Sequence, residues 1–226
     1  VIELADRVTV MRDGQYITTL NVPETNMKEI IRFMVGRELR GKYPEREKPI
    51  GGKLLQVENL SGNGVQNINF TLHQGEILGF AGLLGCGRTE AVSLLYGVGK
   101  KTGGRIFHKG KEIRIRNTTQ AQKLGISLIP EDRKRNGVFL YMSIKWNTSI
   151  ACIRQKLIKY GVIVDTRKEA ALAAEYAGKL STKTPTLDQL VLNLSGGNQQ
   201  KVVISKALAT DPEIMIFDEP TRGIDV

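Results

Sequence analysis

Leu194-Ser195-Gly196-Gly197-Asn198-Gln199-Gln200-Lys201 is the stretch that decides the fold. A Ser before two glycines reads as a helix start, and the helix is expected to run to about Leu208, where Asp211-Pro212 breaks it. The apolar run Ile214-Met215-Ile216-Phe217 follows as a strand and ends in two carboxylates, Asp218 and Glu219, before Pro220-Thr221. Upstream lies Gly82-Leu83-Leu84-Gly85-Cys86-Gly87-Arg88-Thr89. It falls between a predicted buried strand, Glu76 to Ala81, and a predicted helix, Arg88 to Tyr96. A glycine-rich loop in that setting suits phosphate: its amides can curl around the anion where no Cβ fits, and the helix N-terminus adds partial positive charge. Thr89 can place its hydroxyl on Mg²⁺. Arg88 stands where such loops usually carry Lys; it keeps the charge, but its planar fork is no equivalent of a compact ammonium, which puts hydrolysis at this site in doubt. At the acidic strand end, Asp218 can hold Mg²⁺ through a water and Glu219 can polarise an attacking water. Each piece alone could be a plain glycine turn or a solvated acidic turn. Their order along one chain favours phosphate chemistry.

Composition narrows the class. The chain has 226 residues, 41% hydrophobic and 25% charged, which is ordinary for a globular protein with one good core or a domain and part of another. No apolar run approaches the roughly 18–20 residues of a membrane span. The N-terminus has no secretory pattern, so a cytoplasmic address is expected; the chain opens on Val1 in mid-pattern and reads as a fragment. Cys86 and Cys152 are not in metal-ligand spacing and are expected to be free thiols. A bulky adduct on Cys86 should block nucleotide. The net charge of +10 invites a nucleic-acid reading, but the basic residues are dispersed and only 6% of residues are aromatic, so no nucleic acid is expected as partner.

Three segments follow from the pattern. In residues 1–36, Val8–Met11 and Tyr16–Val22 read as a hairpin around Asp13-Gly14, followed by a helix capped by Asn26 and ended by Gly36. Residues 37–53 read as a charged linker. Residues 54–226 read as an α/β domain with strands at 54–60, 68–72, 106–108, 113–115 and 126–129, and a helix near 118–124. From 141 to 193 the pattern turns helical, with helices at 144–158 and 166–180, as though a helical subdomain were inserted in the α/β core.

In these motifs and their spacing the chain resembles the ATP-binding subunits of bacterial ABC importers for ribose, galactose and other monosaccharides. The resemblance covers essentially all of it. Ala5 to Gly14 is similar to the end of such a subunit's first nucleotide-binding domain, and residues 54–226 to most of the second, truncated after the D-loop. The implied fold is a P-loop NTPase of the ABC type with a β subdomain and an inserted helical subdomain. The resemblance assigns Gly82, Gly85, Cys86, Gly87, Arg88, Thr89 and Glu90 to nucleotide, Thr89 and Asp218 to Mg²⁺, and Glu219 to catalysis. Glu131 falls at the Q-loop, where most such domains have Gln, and Asp225 at the D-loop. Ser195, Gly196, Gly197 and Gln199 form the signature, which would face ATP held by the first domain. No aromatic residue stands near Gly62 to Gln66, where the adenine-stacking loop would lie. The implied cofactors are ATP and Mg²⁺. The implied partners are membrane permease subunits, a periplasmic or lipid-anchored sugar-binding protein, and the first domain of the same polypeptide, at the cytoplasmic face of the membrane. Three alternatives stay open: a regulatory half-domain with little turnover, the ATPase of a purine-nucleoside importer, and a soluble ABC ATPase, whose usual coiled-coil or RNA-contacting insertions are not seen here.

Overall fold

Alternating burial makes Lys53–Gly62 (β3) a strand with Leu55 and Val57 turned inward, until Asn59 breaks the alternation at φ +51. The register against Val65–His73 (β4) shifts there, and the bulge returns Leu60 to the core. Gly104 lies across this bulge at φ +86; a Cβ on it would stand 2.5 Å from the Asn59 carbonyl, so only glycine fits. Lys101–His108 (β5) and Lys111–Ile113 (β6) complete an antiparallel sheet in the order β4-β3-β5-β6.

The computed structural model describes residues 2–12, 14–36, 49–83, 85–222 and 224, in two units that divide between Pro49 and Ile50. In the first unit, Arg7–Arg12 (β1) and Gln15–Asn21 (β2) pair as an antiparallel hairpin. Met27–Val35 (α1) follows, its Glu29 amide bonded to the Asn26 side chain at 3.0 Å and its end closed by Gly36 at φ +78. Asp13 and residues 37–48, which hold most of the expected linker, lie outside the described residues.

In the second unit, Arg88–Leu95 (α2) and Thr118–Lys123 (α3) lead to Ile126–Ile129 (β7), which pairs in parallel with Ile214–Phe217 (β10). Leu55, Val57, Leu60, Leu94, Ile106, Ile126 and Ile214 form one core. Ile144–Ser149 (α4), Thr166–Lys179 (α5) and Gly196–Leu208 (α6) complete the helices. A second core joins Ile129, Ile144, Val191, Val202 and Val203; a third joins Cys152, Leu157, Tyr176 and Ala209.

Two expected elements are not there. Glu76–Ala81 is not a strand: among the described residues it has no ladder partner, and Ile77 is 95% exposed. An apolar run becomes a strand only when a neighbour takes its backbone bonds. The helix expected over 144–158 stops at Ser149. The Thr148 hydroxyl donates to the Ile144 carbonyl at 2.9 Å and the Ser149 hydroxyl to that of Trp146 at 3.1 Å, competing with the helix ladder. A turn, a π-helical stretch at Ile153–Leu157 and a hairpin of Ile158–Lys159 (β8) with Ile163–Val164 (β9) replace the rest.

Leu60→Ala leaves a cavity at a fully buried position, so we expect a loss of about 2–5 kcal/mol in urea unfolding. A second expectation concerns Lys206 of α6, largely buried with its ammonium donating to the Gly137 carbonyl. Burial pulls its pKa below the ordinary 10.5. The unfolded chain then keeps this proton to higher pH than the folded one, so stability rises as pH climbs from the lowered folded value towards 10.5. Unfolding measured across alkaline pH should show that rise in the wild type and a flatter profile in Lys206→Met.

Candidate functional site

The segment after Gly75 runs to the glycine loop and into α2. Gly85 and Gly87 hold φ of +80 and +93, where L side chains are strained. At Gly87 there is also no room: a Cβ would stand 2.6 Å from Val65 Cγ1. At Gly82 a Cβ would meet the Cys86 sulfur. The Cys86 amide donates to the Leu83 carbonyl at 3.1 Å, and the first intrahelical bond runs from Ala91 to Gly87 at 2.9 Å. Arg88, Thr89 and Glu90 form the first turn of α2, where amides have no partner within the helix. The loop is therefore a backbone cradle opening on a helix N-terminus.

Two parallel strands deliver carboxylates to the same place. β7 ends at Ile129 and leads through Pro130 to Glu131; β10 ends at Phe217 and leads to Asp218 and Glu219. Asp218 is buried and its amide extends the ladder to the Ile129 carbonyl at 2.9 Å. Glu219 is held at φ +44, a left-handed conformation costly for this residue type, which turns the chain at the strand end. Its carboxylate pairs with Arg88 at 2.8 Å. The Thr89 hydroxyl donates to Glu131 at 3.5 Å. Glu131 also pairs with Arg222, whose carbonyl accepts from Arg133 at 2.7 Å. Glu131, Asp132, Arg133, Lys134 and Arg222 line a cavity of about 220 Å³.

These contacts gather the phosphate loop, Glu131 and Glu219 into one constellation. Its donor set is compatible with a Mg-nucleotide: glycine amides and an arginine for phosphate, and the hard oxygens of Thr89 and Glu131 for a small divalent cation, with Asp218 next to Glu219 in the chain. Arg88 is neutralised by Glu219 in this state, and both side chains are partly exposed. Such a pair is worth only about 0–1 kcal/mol and yields to a phosphate.

The signature stretch forms a separate surface. Ser195 caps α6, accepting from the Asn198 side-chain amide at 3.0 Å, and Gly196 and Gly197 form the first turn. Gln199 turns inward, its amide donating to the carbonyls of Val191 at 3.3 Å and Leu194 at 3.2 Å. Its side chain thus lies beneath the loop, not on its open face. Among the described residues no hydrogen bond or ion pair links Ser195–Gln199 to residues 82–89. Asp225 lies outside the described residues. The sequence reading missed Arg222, Arg133 and Val65. Arg222 directly follows the Asp218-Glu219-Pro220-Thr221 run, but a charge partner ninety-odd residues away in the chain leaves no local pattern.

The family model described as ABC transporter matches residues 65–222. A ribose import ATP-binding protein RbsA of Clostridium tetani (strain Massachusetts / E88) is 43% identical over 227 residues, covering 100% of this chain and 45% of the relative. The protein of that name from Geobacillus kaustophilus (strain HTA426) is 42% identical, over 100% of this chain and 46% of its own length. The chain spans less than half the length of these relatives. Among solved structures, the ADP conformation of MJ1267, an ATP-binding cassette of an ABC transporter, superposes with a TM-score of 0.62 at 21% identity, over 76% of this chain and 71% of that one. The cbiO1 protein of Clostridium perfringens gives 0.61 at 24% identity, over 77% and 68%. At these identities the likeness is one of fold, that of the ABC-type P-loop nucleotide-binding domain with mixed α and β structure. The match over residues 65–222 spans well over half of the chain, which belongs to the ABC transporter family.

Proposed function

We propose that residues 54–226 form a nucleotide-binding domain that takes Mg·ATP, and that the chain belongs to the energy-supplying subunit of a monosaccharide importer, for a sugar such as ribose or galactose. One observation carries the nucleotide reading: the Arg88–Glu219 pair and the Thr89–Glu131 contact bring the phosphate loop and the acidic strand ends within one nucleotide's reach. The sugar reading is supported by the names of the relatives that match along the whole chain.

In this reading the amides of Gly82 to Glu90 hold the β-phosphate and Arg88 meets the γ-phosphate, leaving Glu219. Thr89 and Asp218 would hold Mg²⁺, with Glu131 beside them. Bound Mg²⁺ would draw charge from the phosphoryl oxygens. Glu219, once free of Arg88, can accept a proton from the attacking water. Ser195, Gly196 and Gly197 present amides at the N-terminus of α6 to ATP held by a partner domain, expected to be the first nucleotide-binding domain of the same polypeptide. Membrane permease subunits and a periplasmic or lipid-anchored sugar-binding protein would complete the importer at the cytoplasmic face. Among the described residues no helix is long and apolar enough to cross a membrane.

The Arg88–Glu219 pair also favours a second reading, in which this domain binds nucleotide but turns it over slowly, because its phosphate-loop cation occupies its own catalytic carboxylate. In an assembled transporter, Glu219→Gln separates the two. It abolishes the ATPase activity under the motor reading and leaves it nearly intact under the regulatory one.

The binding reading is tested by calorimetry on the 226-residue chain. Thr89→Ala should weaken binding of Mg·ATP by about tenfold or more while leaving binding of metal-free ATP unchanged. Equal Mg·ATP affinity in variant and wild type would remove Thr89, and the metal site built on it, from the proposal.

A further inference from the structure

The hairpin of β8 and β9 belongs to neither the phosphate loop nor the signature surface. Its pairs are Ile158 with Val164 and Lys159 with Ile163, and the Val162 amide closes the turn on the Lys159 carbonyl at 3.2 Å. Its base is fixed: Asp165 caps α5, bonds its own amide to the Leu157 carbonyl at 2.7 Å and pairs with Lys159 at 2.9 Å. The tip is apolar and open to solvent. Tyr160 is 91% exposed, Val162 79% and Ile163 59%. Exposed apolar residues of this size, clustered at the tip of a hairpin whose base is tied down, point to an interaction site.

A second, independent observation comes from the backbone. The two central residues of the turn, Tyr160 and Gly161, have φ of +52 and +78. That is the type I′ geometry, which Asn, Asp or Gly adopt easily and a bulky ring does not. The fold would be better served by Asn at 160. The tyrosine makes no hydrogen bond or ring contact among the described residues that would repay the strain.

The charge around the tip says what it meets. Between Ile153 and Lys168 the cations are Arg154, Lys156, Lys159, Arg167 and Lys168, and the one acid, Asp165, is buried under Lys159. Lys156 is paired with Asp211; Arg154, Arg167 and Lys168 are exposed and carry no ion pair among the described residues. A tyrosine beside aliphatic residues, with exposed cations on the two segments that flank the hairpin in the chain, is complementary to an anionic bilayer surface: the ring and aliphatics suit the headgroup boundary and the cations suit lipid phosphates.

We propose that the Ile158–Val164 hairpin is an interfacial finger that docks directly on anionic lipid, a contact separate from any made through permease subunits. It does not rest on the nucleotide reading, and its failure would leave that reading untouched.

The test is co-sedimentation of the 226-residue chain with phosphatidylcholine vesicles, with and without phosphatidylglycerol. The chain's net charge of +10 gives a background on anionic vesicles, so the decisive variants keep charge constant. Tyr160→Asn should match or exceed the wild-type melting temperature while weakening vesicle binding; Tyr160→Asn with Val162→Ser and Ile163→Ser should lose about tenfold in partitioning. Reversing Arg154, Arg167 and Lys168 to Glu should cost at least about fivefold per charge, and the loss should shrink as salt rises. Unchanged binding in the apolar-tip variants, or equal binding to neutral and anionic vesicles, would overturn the proposal. So would tip variants that abolish self-association or a protein contact while vesicle binding persists, since the finger would then be a protein interface.

Discussion

The parallel pairing of Ile126–Ile129 with Ile214–Phe217 is the constraint on which the candidate site depends. The two strands lie more than eighty residues apart in the chain, and their four-rung ladder places their ends at one edge. Parallel strands point the same way, so the residues after each strand emerge together. Glu131 and Glu219 therefore reach the N-terminus of α2 without any local contact between them along the chain. The ladder extends one bond further, from Asp218 to Ile129, which fixes the buried Asp218 at the strand end. Ligands gather at the carboxyl edges of such strands because the backbone there opens towards helix N-termini.

The site's charge is balanced within itself. Arg88 faces Glu219, and Arg222 faces Glu131. A loop built to hold several phosphate charges would be strongly electropositive if left alone; here Arg88 and Arg222 each have a carboxylate at hand. These pairs are partly exposed and cheap to break, so a polyphosphate can replace the carboxylates at the arginines. The same exchange would release Glu219 and Glu131 for other work. Replacing the usual Lys by Arg thus changes more than geometry: the longer fork reaches across to the second strand end.

The signature surface shows a different economy of design. Ser195 holds the N-terminus of α6, while Gln199 and Asn198 tie the loop to the carbonyls and amides around it. The far side of α6 packs into the second core through Val202 and Val203, and Lys206 reaches the Gly137 carbonyl in the segment that follows Glu131. One helix therefore joins the Ser195–Gly197 surface at its start to the Glu131 segment near its end. Any shift of Glu131 on exchanging Arg222 for another partner has a rigid element to act on.

The sequence by itself determined the motifs and most element positions. The glycines of the phosphate loop, the capped helix at Ser195, and the apolar strand ending in Asp218-Glu219 each carry a local physical signature, because turns, caps and strand runs are short-range. The hairpin at 7–21 and the helices at 27–35, 88–95 and 166–179 were legible for the same reason. What the tertiary structure decided is long-range. The chain at Glu76–Ala81 reads as a strand, but a strand exists only where a neighbour accepts its backbone bonds, and among the described residues none does. The end of the helix at Ser149 depended on side chains turning back on the backbone, with Ser149 also drawn to Glu169 at 2.6 Å. The pairings of Arg88 with Glu219 and of Arg222 with Glu131 span most of the domain's length in sequence. No periodicity records such a contact, since it is the parallel ladder, and not the neighbouring residues, that brings these charges together.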